Sequence, residues 1–183
     1  IGTNAAGTAD LTAGSGICDF PAVGGPSETI TGSITIGGDT GVDATARNII
    51  SGNGVGILFK SDYTGGVLIQ GNYIGTNTAG TGAVANYNGI EFQNSSCSGG
   101  SGCLIGGSVD GKRNVISGNT ANGIYIYGDS SGWQVQNDII GMDNTGATAL
   151  LNGEDGINIA GAANNITIGE SGSTVSKYNV ISG

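Results

Sequence analysis

Apolar residues in this chain alternate with polar ones in short runs. That period of two predicts strands. Gly and Asn recur every few residues, too often for a long helix. Three kinds of strand return in a fixed order. The first holds Ile1, Ile50, Ile74, Ile116, Ile140 and Ile181. The second begins Gly-Ile, at Gly16-Ile17, Gly56-Ile57, Gly89-Ile90, Gly123-Ile124 and Gly156-Ile157. The third holds Ile34/Ile36, Val67/Ile69, Cys103/Ile105, Trp133/Val135 and Ile166/Ile168. Three strands per turn in constant order describe a coil. Successive first strands lie 24, 42, 24 and 41 residues apart, counted from Ile50, so short and long coils alternate. About five coils at the ordinary strand spacing give a stack ~24 Å tall.

The same repetition is visible as motifs. Asn72-Tyr73-Ile74-Gly75-Thr76-Asn77 returns as Asp138-Ile139-Ile140-Gly141-Met142-Asp143, and an echo opens the chain at Ile1-Gly2-Thr3-Asn4. A sister motif, Asn-[Ile/Val]-Ile-Ser-Gly, stands at Asn48, Asn114 and Asn179. An Asx residue therefore sits two positions before the first-strand Ile in five coils: Asn48, Asn72, Asn114, Asp138 and Asn179. Stacked Asn side chains bond one another along the axis of a cross-β stack. Asn also tolerates the left-handed backbone of a sharp corner. These five are expected to form a structural ladder. Ile and Val at equivalent positions are expected to fill a narrow interior.

Repeats of this kind bury a continuous core only together. The expected fold is all-β: a parallel β-helix, or β-solenoid, of three sheets and about five coils. Residues 1–183 read as a single solenoid domain and as a segment of a longer array, because the chain opens inside a motif.

The pattern resembles the right-handed parallel β-helix superfamily. More narrowly, it is similar to repetitive bacterial cell-surface and secreted proteins of that fold. The residues that carry the likeness are Gly71-Asn72-Tyr73-Ile74-Gly75-Thr76, Gly80-Thr81, Gly89-Ile90, Ile105-Gly106-Gly107 and Arg113-Asn114-Val115-Ile116-Ser117-Gly118-Asn119. The likeness covers nearly the whole chain and implies a right-handed coil. The superfamily includes polysaccharide lyases and hydrolases, phage tailspikes, adhesins and structural proteins, so it implies no single activity.

Composition narrows the choice. Gly is abundant at 38 residues, yet it is interleaved with the regular Ile/Val pattern, which favours order. Lys+Arg 5 against Asp+Glu 14 gives a net charge of −9, which argues against nucleic acid and against an anionic membrane surface. No apolar run approaches the ~20 residues of a membrane span. His is absent, which removes the commonest general base and transition-metal ligand. No metal and no cofactor are expected.

Candidate chemistry is sparse. Both arginines, Arg47 and Arg113, occupy one repeat position before the ladder Asn. Repetition favours a structural role, in a pair with Asp43 or Asp110. Glycosidases need two carboxylates ~5–9.5 Å apart. Glu91 would face outward between Leu58 and Tyr125, which supply no second acid, and Glu154-Asp155 reads as a turn. Regular Asp for calcium-binding nonapeptides and a flat Thr array for ice are both missing. Cys97 and Cys103 bracket a short flexible loop and can form a disulfide, which would place the chain in an oxidising compartment. The alternative is a small buried thiol at Cys103. Cys18 is left over. Tyr125, Tyr127 and Trp133 share one coil and could stack on sugar rings, although Trp133 also shares the inward column of Ile34, Val67 and Ile166.

The expectation is a non-enzymatic extracellular or cell-surface solenoid, structural or adhesive, that self-associates through its ends or neighbouring repeats. The alternative is a carbohydrate-binding or polysaccharide-degrading module, with polysaccharide as its partner.

Overall fold

In the computed structural model, residues 1–4, 7, 9, 14–19, 28–38, 46–99, 102–169 and 178–182 are described. The first coil holds β1 (Ser15–Cys18), β2 (Thr29–Ile30) and β3 (Ile34–Gly37). The chain continues through β4 (Ile49–Ile50), β5 (Val55–Phe59), β6 (Asp62–Tyr63), β7 (Val67–Gln70) and β8 (Tyr73–Ile74). Next come β9 (Asn88–Gln93), β10 (Cys103–Gly106), β11 (Val115–Ile116), β12 (Ile124–Tyr127), β13 (Gln134–Gln136) and β14 (Ile139–Ile140). β15 (Ile157–Ile159), β16 (Thr167–Ile168) and β17 (Val180–Ile181) follow.

The three expected columns are three parallel sheets of five strands. They run β4-β8-β11-β14-β17, β1-β5-β9-β12-β15 and β3-β7-β10-β13-β16. Register follows the repeat residue for residue. Ile50, Ile74, Ile116, Ile140 and Ile181 stand in one line. Ile17, Ile57, Ile90, Ile124 and Ile157 form the second. Ile36, Ile69, Ile105, Val135 and Ile168 form the third. The chain is a parallel β-helix.

One sheet was not expected. β2 pairs with β6 as a short fourth column. It continues upward as isolated parallel bridges, Tyr63 to Cys97, Ser96 to Ser131 and Ser131 to Asn164. This column turns the corner between the second and third sheets.

The alternation of coil length has a local cause. Long coils carry two insertions that short coils lack. One joins the third sheet to the first: only two residues separate β7 from β8, whereas eight separate β10 from β11. The other follows the first sheet as a closed hexaresidue turn. Its N–H···O bonds recur as Asn4 to Ala9 (3.0 Å), Asn77 to Gly82 (2.8 Å) and Asp143 to Thr148 (2.8 Å). Gly7, Gly80 and Gly146 take φ of 62°, 68° and 69° at one point of that turn, where a Cβ would be strained. Asp143 Oδ1 accepts from Thr145 Oγ1 (2.6 Å) and from the N–H groups of Thr145, Ala147 and Thr148. These bonds, Thr145 first, hold its carboxyl down at about 2.

The core is aliphatic beside the first sheet and aromatic toward the corner of the second and third. Ile50, Ile57, Ile69, Ile74, Ile90, Ile105, Ile116 and Ile124 are fully buried. Phe59, Tyr63, Phe92 and Trp133 pack together, with the Phe92 and Trp133 ring centroids 4.0 Å apart. Close approach is required in the second column. A Cβ on Gly89 would lie 2.5 Å from the Gly123 carbonyl oxygen, and Gly56 and Gly123 meet the same obstacle one coil up.

Candidate functional site

The polar side chains that matter most here are inside. Asn72, Asn114 and Asp138 are fully buried at the corner between the third and first sheets. A side chain there must bond internally or cost about 1–3 kcal/mol per unpaired group. The ladder supplies those bonds. Asn48 N and Nδ2 donate to Asn72 Oδ1 at 3.2 and 3.0 Å. Asn72 donates in the same way to Asn114 Oδ1 (2.9 and 3.2 Å), and Asn114 to Asp138 Oδ1 (2.8 and 3.0 Å). Asp138 N donates to Asn179 Oδ1 at 2.9 Å. All five Asx residues singled out in the sequence thus join one chain of hydrogen bonds.

A second ladder escaped the sequence reading. Asn53, Asn86, Asn119 and Asn152 lie at a constant interval of 33 residues. Asn53 N and Nδ2 donate to Asn86 Oδ1 (3.0 and 2.9 Å), and Asn86 Nδ2 donates to Asn119 Oδ1 (3.0 Å). Asn119 N and Nδ2 donate to Asn152 Oδ1 (3.1 and 2.9 Å). The constant interval was the available signal. Asn53 and Asn119 end an Ile-Ser-Gly-Asn motif, whereas Asn86 and Asn152 follow the inserted turn, so motif matching finds only half of the set.

Both arginines reach the following coil. Arg47 Nε donates to the Gly71 carbonyl at 3.3 Å and its guanidinium lies 4.0 Å over the Tyr73 ring. Arg113 binds Asn137 Oδ1 and O and lies 3.6 Å from Asp110 Oδ1. Asp43 lies outside the described residues.

The outer face of the second sheet carries a polar strip. Glu91 stands between Leu58 and Tyr125 in register. Its two oxygens are engaged by Tyr127 Oη (3.1 Å) and Asn88 Nδ2 (2.8 Å). Asn122 Nδ2 bridges Asn88 Oδ1 and Glu154 Oε2, while Asp155 accepts from Asn158 Nδ2. The Tyr125 and Tyr127 rings stack at 4.5 Å. Burial, then the Glu91 charge, pushes the Tyr127 phenol up to about 12. Trp133 does not join these tyrosines. It is wholly buried, its Nε1–H donates to the Ser95 carbonyl at 2.8 Å, and it offers no face to a sugar. The column alternation places it inward, and the aromatic cluster holds it there.

Cys97 and Cys103 are joined as a disulfide with Cα atoms 5.9 Å apart. The bond ties the fourth column to the third sheet beside Trp133. Intact-mass measurement of the unreduced protein is expected to lack two hydrogens relative to the reduced one, and two free thiols at these positions would refute the bond. Cys18 is a half-buried thiol whose pKa is raised, by burial first and then by Asp19.

No pocket opens among the described residues, and none of them forms a group of three or more metal-binding side chains. No helix among them is long and apolar enough to cross a membrane. Comparison with family models, with curated proteins and with solved structures finds no match to this chain.

Proposed function

We propose that this chain is a structural segment of an elongated extracellular or cell-surface assembly, akin to the repetitive surface proteins its motifs resemble. The observation that carries the reading is that its hydrogen-bonded side chains are spent on the axis. Two internal Asn ladders and three in-register sheets bind coil to coil, while the described surface forms no pocket. Among the described residues, β15, β16 and β17 are the last strands of their sheets, and Ile159, Ile168 and Ile181 are roughly half exposed. Unpaired edges above an apolar interior favour pairing with further strands. The disulfide suits an oxidising compartment.

Sedimentation across a concentration series tests the reading. The sedimentation coefficient is expected to rise with concentration, and Ile168→Lys with Ile181→Lys is expected to suppress the rise. A monomer at every concentration would overturn it.

A second reading, a carbohydrate-binding module, draws on Tyr125, Tyr127 and Glu91, an outward aromatic pair beside a hydrogen-bonded acid. Retention on immobilised neutral or acidic polysaccharide, lost on Tyr125→Ala, would favour it over the first.

A further inference from the structure

The first ladder has one rung that is not an asparagine. In Asn72, Asn114 and Asn179 the side-chain oxygen accepts from the rung before. The side-chain nitrogen donates sideways to the third column, to the carbonyls of Ile36 (2.9 Å), Ile69 (2.8 Å) and Val135 (2.9 Å). In that column Ile105 lies between Ile69 and Val135. Ile105 is therefore the carbonyl that belongs to the Asp138 rung.

Asp138 Oδ1 accepts from Asn114, as an amide oxygen would. Its Oδ2 takes the place of the amide nitrogen. A Cβ built on Gly37 would lie 2.8 Å from Asn72 Nδ2, and one built on the equivalent Gly106 would lie 2.8 Å from Asp138 Oδ2. Yet Oδ2 is buried and accepts no hydrogen bond. An ionised oxygen in a position whose counterparts all donate to a carbonyl is doubly unfavourable: it is desolvated, and it faces an acceptor.

We propose that Asp138 is carried in the fold as the neutral carboxylic acid, its Oδ2–H donating to the Ile105 carbonyl, and that loss of this proton loosens the rung that ties the fourth coil to the fifth. The surroundings fit a neutral group. Among the described residues, β10, β13, β14 and β17, which surround the rung, contribute no titratable side chain apart from the disulfide-bonded Cys103, while Asp110, Lys112 and Arg113 lie on the connection from β10 to β11 and Tyr178 precedes Asn179. Arg113, one coil earlier, is the charged group that acts on Asp138, and it is already engaged by Asn137 and Asp110. Burial outweighs the bonds from Asn114 and the pull of Arg113, and raises the carboxyl from 3.8 to about 7.

The sign follows from proton counting. Between those two values the folded chain holds a proton that the unfolded chain has released. The contribution of Asp138 is thus full below 3.8 and is lost as pH rises toward about 7.

Carboxyl-carbon NMR of the intact chain reads the group directly. A titration midpoint near 7 is expected, and one near 3.8 would overturn the proposal. Asp138→Asn restores an N–H donor without a titrating group. Measured by denaturant unfolding, it is expected to match the parent at about pH 4 and to raise the folded-to-unfolded ratio on the order of a thousandfold at about pH 8. A variant whose stability runs parallel to the parent across that window would also overturn the proposal. If the variant does not fold, the carboxyl titration of the parent decides.

Discussion

Replacing Asn114 by Leu is expected to cost about 3–6 kcal/mol of folding stability, the summed cost of several buried groups left unpaired. Asn114 is fully buried in the middle of its ladder. Its Oδ1 accepts from Asn72 N and Nδ2, and its Nδ2 donates to the Ile69 carbonyl and to Asp138 Oδ1. Leu has nearly the same shape and none of these groups. The Asn72 backbone N–H then loses its acceptor in a place water does not reach. Asn48→Leu supplies the control. That rung stands at the start of the ladder and is only partly buried, so its loss is expected to be about 1 kcal/mol or less. Chemical denaturation of both variants measures the difference. Equal, small losses would mean that the ladder does not hold the coils together.

Trp133→Ala is expected to lose about 3–5 kcal/mol, the range for removing a large buried aromatic. The indole packs on Phe92, Phe59 and Tyr63 and satisfies the Ser95 carbonyl. The cavity would open at the disulfide-linked corner, where the stiff fourth column restricts collapse. Trp133→Phe keeps most of the packing and removes the donor, so a smaller loss of about 1–2 kcal/mol is expected. The chain has a single Trp, so its fluorescence reports this corner alone. Emission at the wavelength of a solvated indole in the folded protein would contradict the buried position.

How far the sequence could be read depends on which residues repeat. The Ile columns were legible because every coil supplies one at the same distance from a Gly or Asn. The Asx ladder was legible because its rungs precede those Ile residues directly. The second ladder was not, because Asn86 and Asn152 follow an inserted turn instead of the Ile-Ser-Gly motif. The fourth column was also hidden, since Asp62-Tyr63, Ser96-Cys97, Ser131 and Asn164 share only the Ser of two adjacent coils.

By itself the sequence determined the coil order, the register and the inward columns, because a period of two and a fixed repeat leave each Ile one place to go. It also set one Asp among the four Asn of the first ladder, at Asp138, and one Trp in a column otherwise of Ile, Val and Cys, at Trp133. What those two residues do was decided by the tertiary structure alone. Trp133 fills a corner because rings from three successive coils meet there. Asp138 Oδ2 lies in the donor position of its ladder because the coils above and below seal it from water and set it at the Ile105 rung. Both outcomes depend on contacts between coils, and a carboxyl or an indole acquires its role only when the neighbouring coil is in place.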